Sequence, residues 1–145
     1  MSSHVKQAII SLFLVSVLAL LIWASQDYLN TKSVSACDIN SGQCEVISND
    51  FQYRFTLGPM PARSLNNMTL VAETNLPGIN RVWVDLQGAD MYMGVNQFEL
   101  ENIESQWQGQ TQLGVCTTGT MTWVAKVIFE TDTEQKIVEL RFDAR

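Results

Sequence analysis

The chain has 145 residues, enough for one ordinary domain and too few for two. Charged residues make up 17% of it, and the formal net charge is −6. All 15 acids and eight of the nine basic residues follow residue 24, leaving that part near −7 (8 − 15), a balance that repels phosphate backbones and excludes nucleic acid as an expected partner.

The first element is apolar. Residues 8–24 read AIISLFLVSVLALLIWA, without a charge and with Ser11 and Ser16 as the only polar side chains. At ~1.5 Å per residue the run covers roughly 25 Å, close to the hydrocarbon core of a bilayer. Trp23 and Tyr28 follow where an aromatic belt would sit. A helix in a soluble core would keep a polar face, and this one has none. Lys6 and His4 precede the run and Asp27 follows it, so the N-terminus stays in the cytoplasm and the rest is exported.

The expected organisation is a signal anchor of a bacterial inner membrane. Residues 1–7 are cytoplasmic, 8–24 the transmembrane helix, 25–36 a polar linker and 37–145 a periplasmic domain. Two alternatives are weaker. A cleaved signal peptide needs a small-x-small site, which Ile22-Trp23-Ala24 does not supply. Val34-Ser35-Ala36-Cys37 looks like a lipid-attachment box, but a lipoprotein signal places its Cys directly after the apolar run, and here Asp27 and Lys32 intervene.

After the linker the apolar period is two. Strands are expected at 44–47, 51–57, 68–74, 81–86, 97–103, 105–113, 120–131 and 136–143. Gly58-Pro59, Pro77-Gly78, Gly88, Gly94, Gly119 and the polar 131–135 supply the turns. Short strands at this spacing, with no helical pattern among them, predict an all-β fold, an immunoglobulin-like antiparallel β-sandwich, with a small β-barrel as the runner-up.

The only histidine, His4, precedes the anchor. The exported domain therefore has no Ser-His or Cys-His dyad and no His-ligated metal site. It has no phosphate-binding or dinucleotide-binding glycine motif, and no enzyme is expected. Six residues separate Cys37 and Cys44, with Asn40-Ser41-Gly42 as a turn between them. In an oxidising compartment a local disulfide is the simple reading. A metal-binding pair is the other, although CxxC spacing suits it better. Cys116 is left over, and a small buried apolar residue is its plainest role. Its neighbours offer another. Met91 and Met93 share one side of an extended segment, and Met121 lies five residues past Cys116. Thioethers and thiolates are soft ligands suited to Cu(I). Core or loop packing is the commoner fate of Met.

Gly88-Ala89-Asp90-Met91-Tyr92-Met93-Gly94-Val95-Asn96, then Trp107-Gln108-Gly109, Leu113, Cys116 and Met121-Thr122-Trp123, resemble the FixH/YtkA-like group of membrane-anchored immunoglobulin-fold periplasmic proteins of proteobacteria. The resemblance covers about 65–143, and Met-x-Met-Gly between two strands is its most specific part. It implies copper supply and cytochrome oxidase assembly, and it points to Met91, Met93 and, more weakly, Cys116 and Met121 as metal ligands. No His stands near the Met pair, so only a Cu(I) site fits that implication. The expectation is a non-enzymatic periplasmic accessory protein that binds or delivers Cu(I) to a respiratory oxidase or copper transporter. The competing reading is a protein-interaction module, an accessory subunit of a membrane complex with no metal.

Overall fold

Side chains that alternate between apolar and polar fold into strands with one face on a shared core, and nine strands form among the described residues. The computed structural model describes Gln7 and residues 12–20, 33–48, 50–115 and 119–145. The strands are β1 (Ser33–Asp38), β2 (Gln43–Ser48), β3 (Phe51–Gly58), β4 (Asn67–Thr74), β5 (Ile79–Gly88), β6 (Gln97–Ile103), β7 (Gln106–Gln112), β8 (Met121–Thr131) and β9 (Gln135–Ala144). All belong to a unit spanning Lys32–Arg145; Met1–Thr31 form a separate one. Residues 12–20 are helical and exposed, and the rest of the 8–24 span lies outside the described residues. Among the described residues no helix is long and apolar enough to cross a membrane.

Eight strands fall where the alternation places them. The ninth, β1, corrects the expected linker: Ser33–Ala36 are strand, not spacer. Its small and polar residues, SVSACD, give only a faint alternation at Val34 and Ala36. β1 lies along β9 from Ser33↔Ile137 to Asp38↔Arg141. That pairing is parallel, so the sheet is mixed rather than purely antiparallel; all the other pairings are antiparallel.

The strands form one sheet in the order β1-β9-β8-β5-β6-β7-β4-β3-β2. Its edges, β1 and β2, are consecutive in the chain. They are joined by residues 39–42 and by a disulfide between Cys37 and Cys44, with the Cα atoms 6.4 Å apart. The sheet therefore bends nearly into a barrel, and an exposed edge strand is a liability that such closure reduces. Its halves meet over one core: Tyr53 and Phe55 of β3 reach Phe129 of β8, with ring centroids 5.3 and 6.3 Å apart. Val82, Val84, Leu86, Trp123, Leu140 and Phe142 add to that core, all 2% exposed or less.

The bend runs through β6. Gln97–Leu100 pair with β5, and Glu101–Ile103 pair with β7. At the crossing the backbones come so close that a Cβ on Gly109 would lie 2.7 Å from the Glu99 carbonyl oxygen. A residue without a side chain permits this approach.

Candidate functional site

The two ends of the sheet differ. At one end the connections from β2 to β3, β4 to β5, β6 to β7 and β8 to β9 are two to four residues long, and β1 begins beside the last of them. At the other end it reverses through 39–42 and through three eight-residue connections, 59–66, 89–96 and 113–120. Long irregular loops held by a rigid sheet are where binding residues concentrate. Pro59 and Pro61 lack backbone donors and stop β3 from continuing, which opens the first of these loops.

Hydrogen bonds fix the loop bases. The Leu65 N–H donates to the Leu113 carbonyl at 3.1 Å, and the Ala89 N–H to that of Thr122 at 2.8 Å. Asn96 clamps its loop through three partners: its carbonyl accepts from the Leu86 N–H at 2.9 Å, its Nδ2 donates to the Gln112 carbonyl at 3.1 Å, and its Oδ1 accepts from Thr111 Oγ1 at 3.2 Å. Above these bases the loops expose apolar side chains: Leu65, Met91, Tyr92, Val95 and Val115, between 48% and 78% accessible. Apolar groups gathered on one surface mark an interaction site more often than scattered ones do. Two buried polar atoms at this end, Ser64 Oγ and Trp123 Nε1, find no hydrogen-bond partner among the described residues.

The sulfur residues separate. Met121 is 8% exposed and packs over Gly88, where an added Cβ would meet its Sδ and Cε at 3.2 Å. Met93 is half-buried against the core, its Cε 3.3 Å from the Cβ position of Gly114. Met91 is 48% exposed. Cys116 lies outside the described residues. The 89–96 loop and the residues around 114 and 121 therefore meet at one end. Of the three described thioethers, Met93 and Met121 are taken up by packing.

Sequence reasoning missed Arg63 and Arg145. A parallel bridge joins Ala62 to Ala144, both buried, so the next residue on each segment faces outward. The Arg145 N–H donates to the Ala62 carbonyl at 3.3 Å, and its carbonyl accepts from the Ser64 N–H at 2.7 Å, bracketing Arg63. Both side chains line a cleft of about 590 Å³, with Asn40, Thr120 and Asp143. The repeated Ala-Arg dipeptide was the signal available, a small inward residue followed by a cation.

The short-turn end is chemically different. Buried Lys136 pairs its Nζ with Glu134 Oε2 at 2.6 Å. Burial, and then the negative charge of Glu134, holds the nearby Tyr53 hydroxyl above its ordinary pKa of 10.0. Among the described residues no group of three His, Cys, Asp or Glu side chains is placed to hold a metal ion.

The likeness to the FixH/YtkA-like group rests on its motifs alone: no protein-family model matches the chain, and no curated protein matches it.

Proposed function

We propose that the chain is a membrane-anchored exported accessory protein, not an enzyme, that binds a protein partner of a membrane complex through the long-loop end of its domain. The observation that carries this is the asymmetry of the sheet: three eight-residue connections and the exposed Leu65, Met91, Tyr92, Val95 and Val115 share one end. The N-terminal segment supplies the anchor. Leu12, Phe13, Leu14, Val15, Leu18 and Leu20 of the 12–20 helix are each more than 60% exposed, which suits lipid and not water. Ser16 Oγ donates to the Phe13 carbonyl at 2.8 Å, so the helix satisfies its own polar group.

An immunoglobulin-like reading of the domain is supported by strand order. β3, β4 and β7 are neighbours in that order on one half, and β6, β5, β8 and β9 on the other. A chain that crosses between halves after β4, β6 and β7 follows a Greek-key path of the kind found in such sandwiches. β1 and β2 then extend the two halves, β1 along β9 and β2 along β3, and the Cys37–Cys44 disulfide joins them.

A Cu(I) role is the second reading, and Met91 and Met93 on one loop support it. A thioether coordinates Cu(I) without losing a proton, so such a site would be nearly independent of pH. The packing of Met93 and Met121 favours the metal-free interaction module. Competition of the full-length protein against a Cu(I) chelator separates the two. If copper is retained by wild type and lost on joint Met91→Leu and Met93→Leu substitution, the second reading holds. If wild type retains none, the interaction module stands alone. An export-dependent reporter fused after Arg145 tests the topology: it should be active, and activity of a cytoplasm-only reporter there would overturn it.

A further inference from the structure

Five arginines lie in the exported domain. Arg54 pairs with Glu45 and Glu73, Arg81 with Glu99 and Glu130, and Arg141 with Glu139. Arg63 and Arg145 have no carboxylate within ion-pair distance among the described residues, although the chain carries 15 acids. They also stand side by side on hydrogen-bonded segments. Like charges directly opposite one another on paired segments destabilise the fold. An acidic domain that sets these two arginines at neighbouring backbone positions, both lining one cleft among the long loops, has left them open to a ligand.

The geometry points to an anion site in the cleft lined by Arg63, Arg145, Asn40 and Thr120, and to a carboxylate as its ligand. The guanidinium fork matches a carboxylate with two parallel hydrogen bonds. Asp143 decides against a dianion. It lines the same cleft and carries its own charge, held in place by Thr122 Oγ1 donating to its Oδ1 at 2.7 Å and by its N–H donating to Asn40 Oδ1 at 2.8 Å. Asp143 and the field of a domain near −7 repel a phosphate dianion more strongly than a single carboxylate. The inference rests on the reading of the loop end as a binding surface, and the carboxylate is either free or carried on an acidic side chain of the partner.

Full-length protein labelled with ¹⁵N-arginine in detergent micelles provides the test, because the five Nε–H signals report each arginine separately. The additions are acetate, a short capped peptide with a single Glu among Gly residues, its Gln counterpart, inorganic phosphate, and sodium chloride at equal ionic strength. Acetate or the Glu peptide should shift Arg63 and Arg145 along one saturating curve, at a concentration about tenfold below that at which chloride acts. Arg54, Arg81 and Arg141 should stay in place. Arg63→Gln should weaken the response of Arg145 by about tenfold while the three paired arginines keep their signals, showing an intact fold. Tighter binding of the Glu peptide than of acetate assigns the carboxylate to a partner chain; equal binding assigns it to a free small acid. Tighter binding of phosphate, an equal response to the Gln peptide, or uniform shifts of all five arginines would overturn the site. That failure would leave the loop-end reading untouched, since crosslinking tests it without any anion.

Discussion

Substituting Gly109 probes the crossing on which the whole bend depends. A Cβ there would stand 2.5 Å from Leu100 Cδ2, 2.7 Å from the Glu99 carbonyl oxygen and 3.2 Å from Phe98 Cδ2. Nonbonded carbons prefer about 3.5–4.0 Å, so the methyl of Gly109→Ala intrudes by roughly 1 Å on two sides. Leu100 could turn away, at the expense of its buried position; Glu99 O is main chain in β6 and cannot. Overpacking of this kind costs about 1–3 kcal/mol. Alanine restricts the unfolded chain and returns about 0.4–1 kcal/mol, since Gly109 does not have a positive φ. The net expected loss is about 1–2 kcal/mol, read as a lower urea midpoint by tryptophan fluorescence with an unchanged m-value. Gly109→Val should lose more. A Gly109→Ala protein as stable as wild type would refute the close approach of β6 to β7, and with it the account of how one sheet forms two facing halves.

Mass mapping without reduction should find Cys37 joined to Cys44. Replacing both by Ser should cost about 2–3 kcal/mol, the value for a short closed loop, without unfolding the domain. Gly88→Ala should lower stability and displace the 89–96 loop, because the new Cβ would fall 2.5 Å from the Met91 carbonyl oxygen; unchanged amide shifts across that loop would contradict this. Tyr53 gives an alkaline signature. Its folded pKa lies above the unfolded value, so its contribution is complete below about pH 10 and is lost as pH rises through the folded value. Tyr53→Phe should therefore flatten the fall in urea midpoint above about pH 10; an equally steep fall would show that the Tyr53 pKa is the same in the folded and unfolded chain.

Strands whose side chains choose between core and solvent were legible in the sequence. β5 alternates Val82, Val84 and Leu86 inward, and β9 alternates Val138, Leu140 and Phe142. β1 was not legible, since its place is set by backbone pairing with β9 and by the Cys37–Cys44 link. The β6–β7 reversal was equally hidden: Glu104 and Ser105 both take positive φ, at 50° and 70°, without a glycine to announce it. Of the site, the Met91–Met93 loop and its approach to residue 121 could be read from Gly88, Gly94 and strand order. The burial of Met121 was legible too, since it stands in phase with Trp123, Ala125 and Val127 along β8, but its soft thioether also suited a ligand. Arg63 and Arg145 are 82 positions apart in the chain, and only the Ala62↔Ala144 bridge brings them together.

The central claim, that the domain binds through its long-loop end, is tested most directly by site-specific photocrosslinking in intact cells. A photoreactive residue is placed at Tyr92 or Val95 on the long-loop end, and at Glu104 or Asp132 on the short-turn end, all exposed. One discrete crosslinked species is expected from Tyr92 and Val95, weakened by Met91→Asp, and none from Glu104 or Asp132. Crosslinks confined to Glu104 and Asp132, or equal at both ends, would contradict it.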